Sequence, residues 1–346
     1  MKKSNLIAID LAKNTHQVCL FDKHDNMISN KSFRADALRR FLAKQQASLV
    51  AFEGCGGAHH YARLALSLGH DVVIYPAKVV ANYRQGHKTD ANDAKAIAYT
   101  ARQPSLKTVA VKNLEQQNVQ SLLRIQQHLS DQLTATSNLI RGLLLEFGIR
   151  IPKGHKALKM HLPLVMEDGD NGLAFPTRHA LNEAWQIWQH TRTSLTELEK
   201  QIEQMAQTLE ACQNLLQLEG VGAKNALALY ADIGDGKHYK NGRAASACIG
   251  ATPTQHSTGG KERIGHIRKG YLANKRLRST LTMGAIAVLN VLEKRAPRNR
   301  KELWLKGLLE RRGKGRAAVA LVNKTIRTAW AMLAHNEAYK PSPALI

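Results

Sequence analysis

Residues 5–33 read NLIAIDLAKNTHQVCLFDKHDNMISNKSF. Three short apolar runs, NLIAID, HQVCLFD and NMISNKSF, are separated by Lys, Asn, Asp and His residues that favour turns. Runs so short and so closely spaced predict an antiparallel meander. Downstream the pattern alternates. A helix is expected in ADALRRFLAKQQ (35–46), a buried strand in SLVAFEG (48–54), and a helix in AHHYARLALSLG (58–69). The strand DVVIYP (71–76) follows, and then a helix within GHKTDANDAKAIA (86–98). Strands interleaved with helices predict an α/β layer fold.

The chain of 346 residues is too long for one ordinary core, and its 44% hydrophobic content favours packed structure over disorder. No apolar run has the length of a membrane span, and Met1-Lys2-Lys3-Ser4 leads into the first strand without the pattern of a secretory signal. The four cysteines are scattered, without a Cys-x-x-Cys pair, so neither a disulfide framework nor a zinc site is expected and a cytoplasmic setting fits. The formal charge is +23, unevenly placed: +7 in residues 1–105, +1 in 106–250 and +15 in 251–346. A surface of that sign attracts polyanions. With no lipidation motif or amphipathic anchor to favour a membrane, nucleic acid is the expected partner. Aromatic residues make up only 5% of the chain, too few for extensive base stacking.

The charge-balanced middle reads as helical. Leu122, Ile125, Leu129 and Leu133 follow helical spacing, as do Ile140, Leu143, Leu144 and Phe147. Leu195, Leu198, Ile202, Met205 and Leu209 step by three and four, as in a coiled-coil seam. A Gly/Pro/His-rich connector from residue 148 to 176 separates the two. The expectation is a long helical hairpin, either a dimerising coiled coil or an ordinary bundle. Beyond it, LLQLEGVGAKNALALYADIG (215–234) has the form of a helix-hairpin-helix element whose Gly222 turn presents backbone N–H groups to a phosphate. Then comes GATPTQHSTGGKERIGHIRKG (250–270), a loop of Gly, Ser, Thr and basic residues, followed by basic helices. Arg311, Arg312, Lys314 and Arg316 interleave with Gly313 and Gly315, as either a phosphate grip or a solvated basic loop. Trp185 and Trp188 are expected in the core.

Four carboxylates draw attention. Asp10 ends the first strand, and Glu53, the only glutamate before Glu115, ends the buried strand. Asp90 and Asp93 lie three residues apart, on one face of a helix. A plain helix start capped by Thr89 or Asp90 would explain the last pair alone. Sites in α/β sheets form beyond strand ends, where all four acids could gather. Gathered acids need a cation, and oxygen-only ligands select Mg²⁺ or Mn²⁺. Two such ions serve phosphodiester chemistry.

IAIDLAK (7–13), FEGCGGAHH (52–60) and KTDANDA (88–94) resemble the Asp-Glu-Asp-Asp motifs of the RuvC-like, ribonuclease-H-fold domain of the IS110 family of insertion-sequence transposases, in its IS1111 branch. LEGVG (218–222), GATPTQHSTGGK (250–261) and RLRSTL (276–281) resemble that family's C-terminal transposase domain. The resemblance implies a RuvC-like domain over residues 1–108, a helical region over 109–211 and a mainly α transposase domain over 212–346. It implies Asp10, Glu53, Asp90 and Asp93 as catalytic metal ligands. It also implies a serine nucleophile in the Gly-rich loop, attacking a DNA phosphate. Ser257 is the better candidate because a primary hydroxyl is less hindered than that of Thr258, although many relatives carry Ser at the position Thr258 occupies.

The activity so implied is RNA-guided recombination of DNA. A bridge (seeker) RNA would pair with donor and target duplexes, and a homo-oligomer, by resemblance a tetramer, would share sites between protomers. A metal-dependent junction nuclease without covalent serine chemistry is the alternative.

Overall fold

The computed structural model describes residues 4–103, 105–267, 274–341 and 343–344. Met1, Lys2 and Lys3 lie outside the described residues, as does Arg268-Lys269-Gly270 at the end of the basic stretch.

The meander forms as expected. Strands β1 (Leu6–Leu11), β2 (Thr15–Phe21) and β3 (Met27–Arg34) pair antiparallel in sequence order. Helix α1 (Ala35–Lys44) leads to β4 (Leu49–Glu53), and α2 (Ala58–Ser67) to β5 (Asp71–Tyr75). Both β4 and β5 run parallel to β1, giving the mixed five-stranded order β3-β2-β1-β4-β5 of a ribonuclease-H-like sheet. Alternation sends the β1 side chains to opposite faces. Ile7 and Ile9 join Leu38, Leu42, Ala58 and Ala62 on the side of α1 and α2. Leu6 and Ala8 join Val80, Ala94 and Ile97 from α3 (Ala77–Ala81) and α4 (Asp90–Ala101). Both faces are covered, which is why β1 reads as a continuous apolar run.

By contacts the chain divides into two compact units, Met1–Gln117 with Asp232–Ile346, and Asn118–Ala231. The second holds most of α5 (Leu114–Glu146) and α9 (Ala223–Ile233), and all of α6 (His155–Glu167), α7 (Phe175–Thr208) and α8 (Glu210–Leu215). The seam on α7 is partly realised: Leu195 and Ile202 are buried, and Leu198, Met205 and Leu209 half-buried. On α5 the inward stripe differs from expectation. Leu133, Ile140 and Leu144 are buried, but Ile125, Leu143 and Phe147 are exposed. Two polar residues, Gln126 and Ser137, occupy the buried stripe instead. Ser137 Oγ accepts from Trp188 Nε1 at 2.8 Å and donates to the Leu133 carbonyl at 2.7 Å, so its polarity is satisfied inside. Trp185 and Trp188 stack at 4.9 Å in this core, as expected. The expected connector over 148–176 contains α6 and the start of α7, with a proline in the first turn of α7, where its missing N–H costs nothing. Helices α8 and α9 flank the Gly222 turn.

In the first unit the C-terminal segment is mainly helical. Helix α10 (Gly242–Ile249), α11 (Lys275–Leu292) and α12 (Arg300–His335) pack together, beside a hairpin of β6 (Pro253–Thr258) and β7 (Lys261–Ile267). A Cβ on Gly242 would meet the α12 backbone at Arg327 O at 3.0 Å, so glycine there permits the close approach of α10. Lys112, 8% exposed, reaches Asp232 Oδ1 at 3.1 Å, and Asn274 Nδ2 donates to Asp232 Oδ2 at 2.6 Å. Breaking a buried charge pair costs about 3 kcal/mol. Asp232→Ala should therefore lower unfolding stability by about that amount, measured by denaturant titration; a loss under 1 kcal/mol would contradict it.

Candidate active site

Strand register and pleat assemble the first half of the site. Ile9 pairs with Phe52 across β1 and β4, so Asp10 and Glu53 are the next residues at the same end of two adjacent parallel strands. Asp10 shares its face with Leu6 and Ala8, and Glu53 shares its face with Ala51, all on the α4 side. The second half comes from α4 itself. Thr89 is the N-cap, its side chain accepting from Asn92 N at 3.3 Å. Asp90 and Asp93 stand in the first turn, where carboxylates favour the positive end of the helix dipole. The cap and the acid pair are thus one device: Thr89 starts the helix so that its first turn carries both acids.

The electrostatics couple Asp10 to Asp93 and Asp90, and Glu53 to Asp10 and Asp93. Asp10 is pushed up to about 6, first by burial and then by the charges of Asp93 and Asp90, with Lys88 opposing. Glu53 is raised by burial, then by Asp10 and Asp93, against Lys88 and Arg84. Arg84 Nη1 lies 3.2 Å from Asp93 Oδ1. Arg84 and Lys88 were not singled out in the sequence; their positive charges flanking the Asp90/Asp93 pair were the available signal. Among the described residues no three acids, histidines or cysteines yet converge as ligands of a single ion. The donor chemistry nonetheless fits a hard divalent cation. All four donors are carboxylate oxygens, and Asp10 and Glu53 are destabilised as anions first by burial and then by neighbouring acids, a cost that a cation removes.

Ser257 lies on a different element. The expected Gly-rich loop is a β-hairpin in which Ser257 pairs with Glu262 and Thr258 with Lys261. Gly259 and Gly260 form its two-residue turn, with φ of +57° and +77°. That pair of positive angles is the tight-hairpin conformation that two glycines adopt without strain. The expected loop is a hairpin because Gly259-Gly260, between residues that pair, is one of the favoured two-residue hairpin turns. Ser257 and Thr258 are both exposed. The structure thus sets Asp10 and Glu53 at one end of the sheet, with Asp93 and Asp90 close enough to act on Asp10 electrostatically, and leaves Ser257 on the hairpin.

The Arg311–Arg316 stretch is not the solvated loop that was one of its two expected forms. It is a kink inside α12 at Gly313, whose φ of +76° and ψ of +165° break the helix. Lys314 Nζ is held by Glu293 Oε2 at 2.7 Å, while Arg311, Arg312 and Arg316 are exposed.

Comparison with known proteins adds the following. Residues 7–149 match a family model described as a transposase with a DEDD domain, and residues 212–300 match one described as "Transposase IS116/IS110/IS902 family". The chain is 38% identical over 336 residues to a "Probable family 20 transposase" of Pseudomonas aeruginosa, covering 97% of this chain and 98% of that one. It is 35% identical over 340 residues to the "Transposase for insertion sequence element IS1111A" of Coxiella burnetii, covering 98% and 92%. It is 33% identical over 330 residues to the "Transposase for insertion sequence element IS1328" of Yersinia enterocolitica, covering 95% and 97%.

Proposed function

This chain belongs to the IS110/IS1111 family of insertion-sequence transposases, and on that premise we propose that it is an RNA-guided DNA recombinase with a carboxylate metal site and a serine nucleophile. The observation that supports the reading is that Asp10 and Glu53 end adjacent parallel strands and feel the charge of Asp93, and Asp10 also that of Asp90, from the first turn of α4. These acids would hold Mg²⁺ or Mn²⁺. Such an ion supplies Lewis-acid polarisation of a scissile phosphate. The chain's own residues do the rest. Arg84 and Lys88 neutralise the acids before loading and bind phosphate oxygens afterwards. Ser257 Oγ forms a bond to phosphorus while the bond from phosphorus to the leaving deoxyribose oxygen breaks. The serine proton passes to a base, the leaving oxygen gains one, and attack by a second DNA hydroxyl reverses the sequence.

Because Ser257 sits on an exposed hairpin, a composite site using the hairpin of a second protomer accommodates the geometry, and we assign a homo-oligomer, a tetramer on two duplexes. Sequence choice is delegated to a bridge RNA, with the basic C-terminal segment gripping backbone phosphates of RNA and of donor and target DNA. The test is reprogramming. With a guide RNA from beside the gene, changing its target-pairing segment should redirect recombination to the newly complementary DNA. Recombination indifferent to the RNA would refute guidance.

The metal proposal carries a pH signature. The folded chain keeps Asp10 protonated up to about 6, against an ordinary 3.8. Between those values the folded state binds more protons than the unfolded one. This contribution to stability is complete below the ordinary value and is lost as pH rises through about 6. Bound cation restores it above that pH, because ligands must be deprotonated. Millimolar Mg²⁺ should raise Tm by a few degrees at pH 8 and hardly at pH 5, roughly the effect of saturating a ligand well above its Kd. An equal rise at both pH values would place the cation elsewhere.

A further inference from the structure

Beside the kink of α12 lies a cavity of about 1130 Å³ that the catalytic scheme does not use, between α10, the start of β6 and α12. Its lining contains no carboxylate. Four cations edge it: Arg243, Arg316, Lys324 and Arg327. Among the described residues none of the four pairs with an acid, whereas Arg295 and Lys314 nearby do. Unpaired guanidinium groups around one opening are arranged to meet anions.

The walls are aromatic. The chain has four tryptophans; Trp185 and Trp188 are in the helical core, and the other two, Trp304 and Trp330, line this cavity. Trp330 Nε1 donates to the Gly236 carbonyl at 2.9 Å, which fixes its ring in place. Trp304 is 38% exposed, and Lys324 Nζ lies 4.7 Å from its ring centroid. A half-exposed indole under an ammonium is a weak arrangement. It is readily replaced by a flat ring of larger area.

A second aromatic ring with a lysine lies next door, here with the lysine at the hydroxyl end of the ring. A second cavity of about 270 Å³ shares Lys324, Thr328 and Ala331 with the first. There Lys301 Nζ stands 5.6 Å from the centroid of Tyr339 and donates to its hydroxyl at 3.4 Å. Two adjoining stations, each an aromatic ring with a lysine beside it, the first edged by arginines and the second carrying Lys340 and one carboxylate, Glu337, match successive units that alternate a planar ring with a phosphate.

We propose that this double cavity binds unpaired nucleotides, one base stacked on Trp304 and the next near Tyr339, with Lys324 moving from the ring to a phosphate beside Arg316 and Arg327. The ligand chemistry is that of single-stranded nucleic acid, with the guide RNA or a locally opened DNA strand as its source. This deepens the nucleic-acid reading above but does not depend on the serine or the metal. A duplex presents its phosphates but not its base faces, so it would meet the arginines and miss the tryptophan.

The test uses the full chain and labelled hexamers of one sequence as single-stranded RNA, single-stranded DNA and duplex, followed by fluorescence anisotropy at fixed salt. Trp304→Ala should weaken single-strand binding about 5- to 150-fold, the span of one aromatic–base stack, and change duplex binding less than twofold. Trp304→Phe should retain most of the affinity, which also separates loss of stacking from loss of fold. Arg327→Gln should weaken all three probes and flatten the slope of log K against log salt by about 0.7–0.9. Tighter RNA than DNA binding identifies the guide as the source, and the reverse identifies an opened strand. Equal losses on duplex and single strand in Trp304→Ala, or no loss on either, overturn the proposal. If RNA guidance itself fails, hexamer binding still depends on Trp304. If only the cavity fails, cleavage still depends on Asp10.

Discussion

Asp10→Asn is expected to lower DNA strand cleavage by on the order of 10³-fold or more while making the metal-free protein slightly more stable. The two effects have one cause. Asn keeps the size of the side chain and its place at the end of β1, so packing against Ala8 and α4 is unchanged. It removes an anion that burial and the charges of Asp93 and Asp90 already disfavour, raising Asp10 to about 6. Relief of that repulsion stabilises the fold, and loss of a ligand oxygen disables the cation site. A variant damaged by misfolding would lose both properties together. Asp93→Asn should resemble it, because Asp93 acts on both Asp10 and Glu53, and it also releases Arg84 from its 3.2 Å contact. Asp90→Asn should cost less, since Asp90 is exposed and presses on Asp10 but is not among the charges that raise Glu53. Cleavage rates in Mg²⁺, Mn²⁺ and Ca²⁺ beside thermal melts decide the matter. Asp10→Asn cleaving within tenfold of the parent, or full cleavage in EDTA, would remove the carboxylates from the chemistry.

What could be read in the sequence depended on how local the deciding physics was. The meander was legible because period-2 alternation and turn residues are nearest-neighbour signals, and β1, β2 and β3 fall where NLIAID, HQVCLFD and NMISNKSF place them. The convergence of Asp10 with Glu53 was legible because each acid ends an apolar run and parallel strands align their ends. Arg84 was not, since its partner is set by the turn around Gly86 that folds it back onto Asp93. The stripe on α5 was misread at Ile125, Leu143 and Phe147 because an apolar count ignores Ser137, whose hydroxyl is satisfied by Trp188 inside the core. The aromatic cavity escaped for a related reason. A content of 5% aromatics argues against base stacking only if they are spread out, and tertiary packing brings Trp304 and Trp330 to one place. The hairpin around Ser257 shows the limit from the other side, since Gly259-Gly260 is a loop or a tight turn according to whether its flanks pair.

That hairpin carries the last expected result. Ser257→Ala should abolish both the covalent protein–DNA adduct and recombination, a loss of at least about 10⁴-fold for removal of a nucleophile. Folding should be unaffected within about 0.5 kcal/mol, because Ser257 is exposed on a strand whose pairing with Glu262 is through the backbone. Mg²⁺-induced stabilisation and RNA binding should both survive, since they rest on other residues. The reason the loss is total lies in energy conservation. Rejoining requires the broken phosphodiester to be held as an ester of comparable energy, and a hydrolysed end has no such bond to exchange. Thr258→Ala should leave the adduct, with peptide mapping of the stalled complex finding phosphate on Ser257. Finding it on Thr258 instead would move the nucleophile by one residue, to the opposite face of β6, and leave the covalent mechanism intact. DNA cut with no adduct, by a Ser257→Ala protein as active as the parent, would identify water as the nucleophile. The four carboxylates would then constitute the whole of the catalytic apparatus, and the chain would be a metal-dependent junction nuclease whose hairpin only grips DNA.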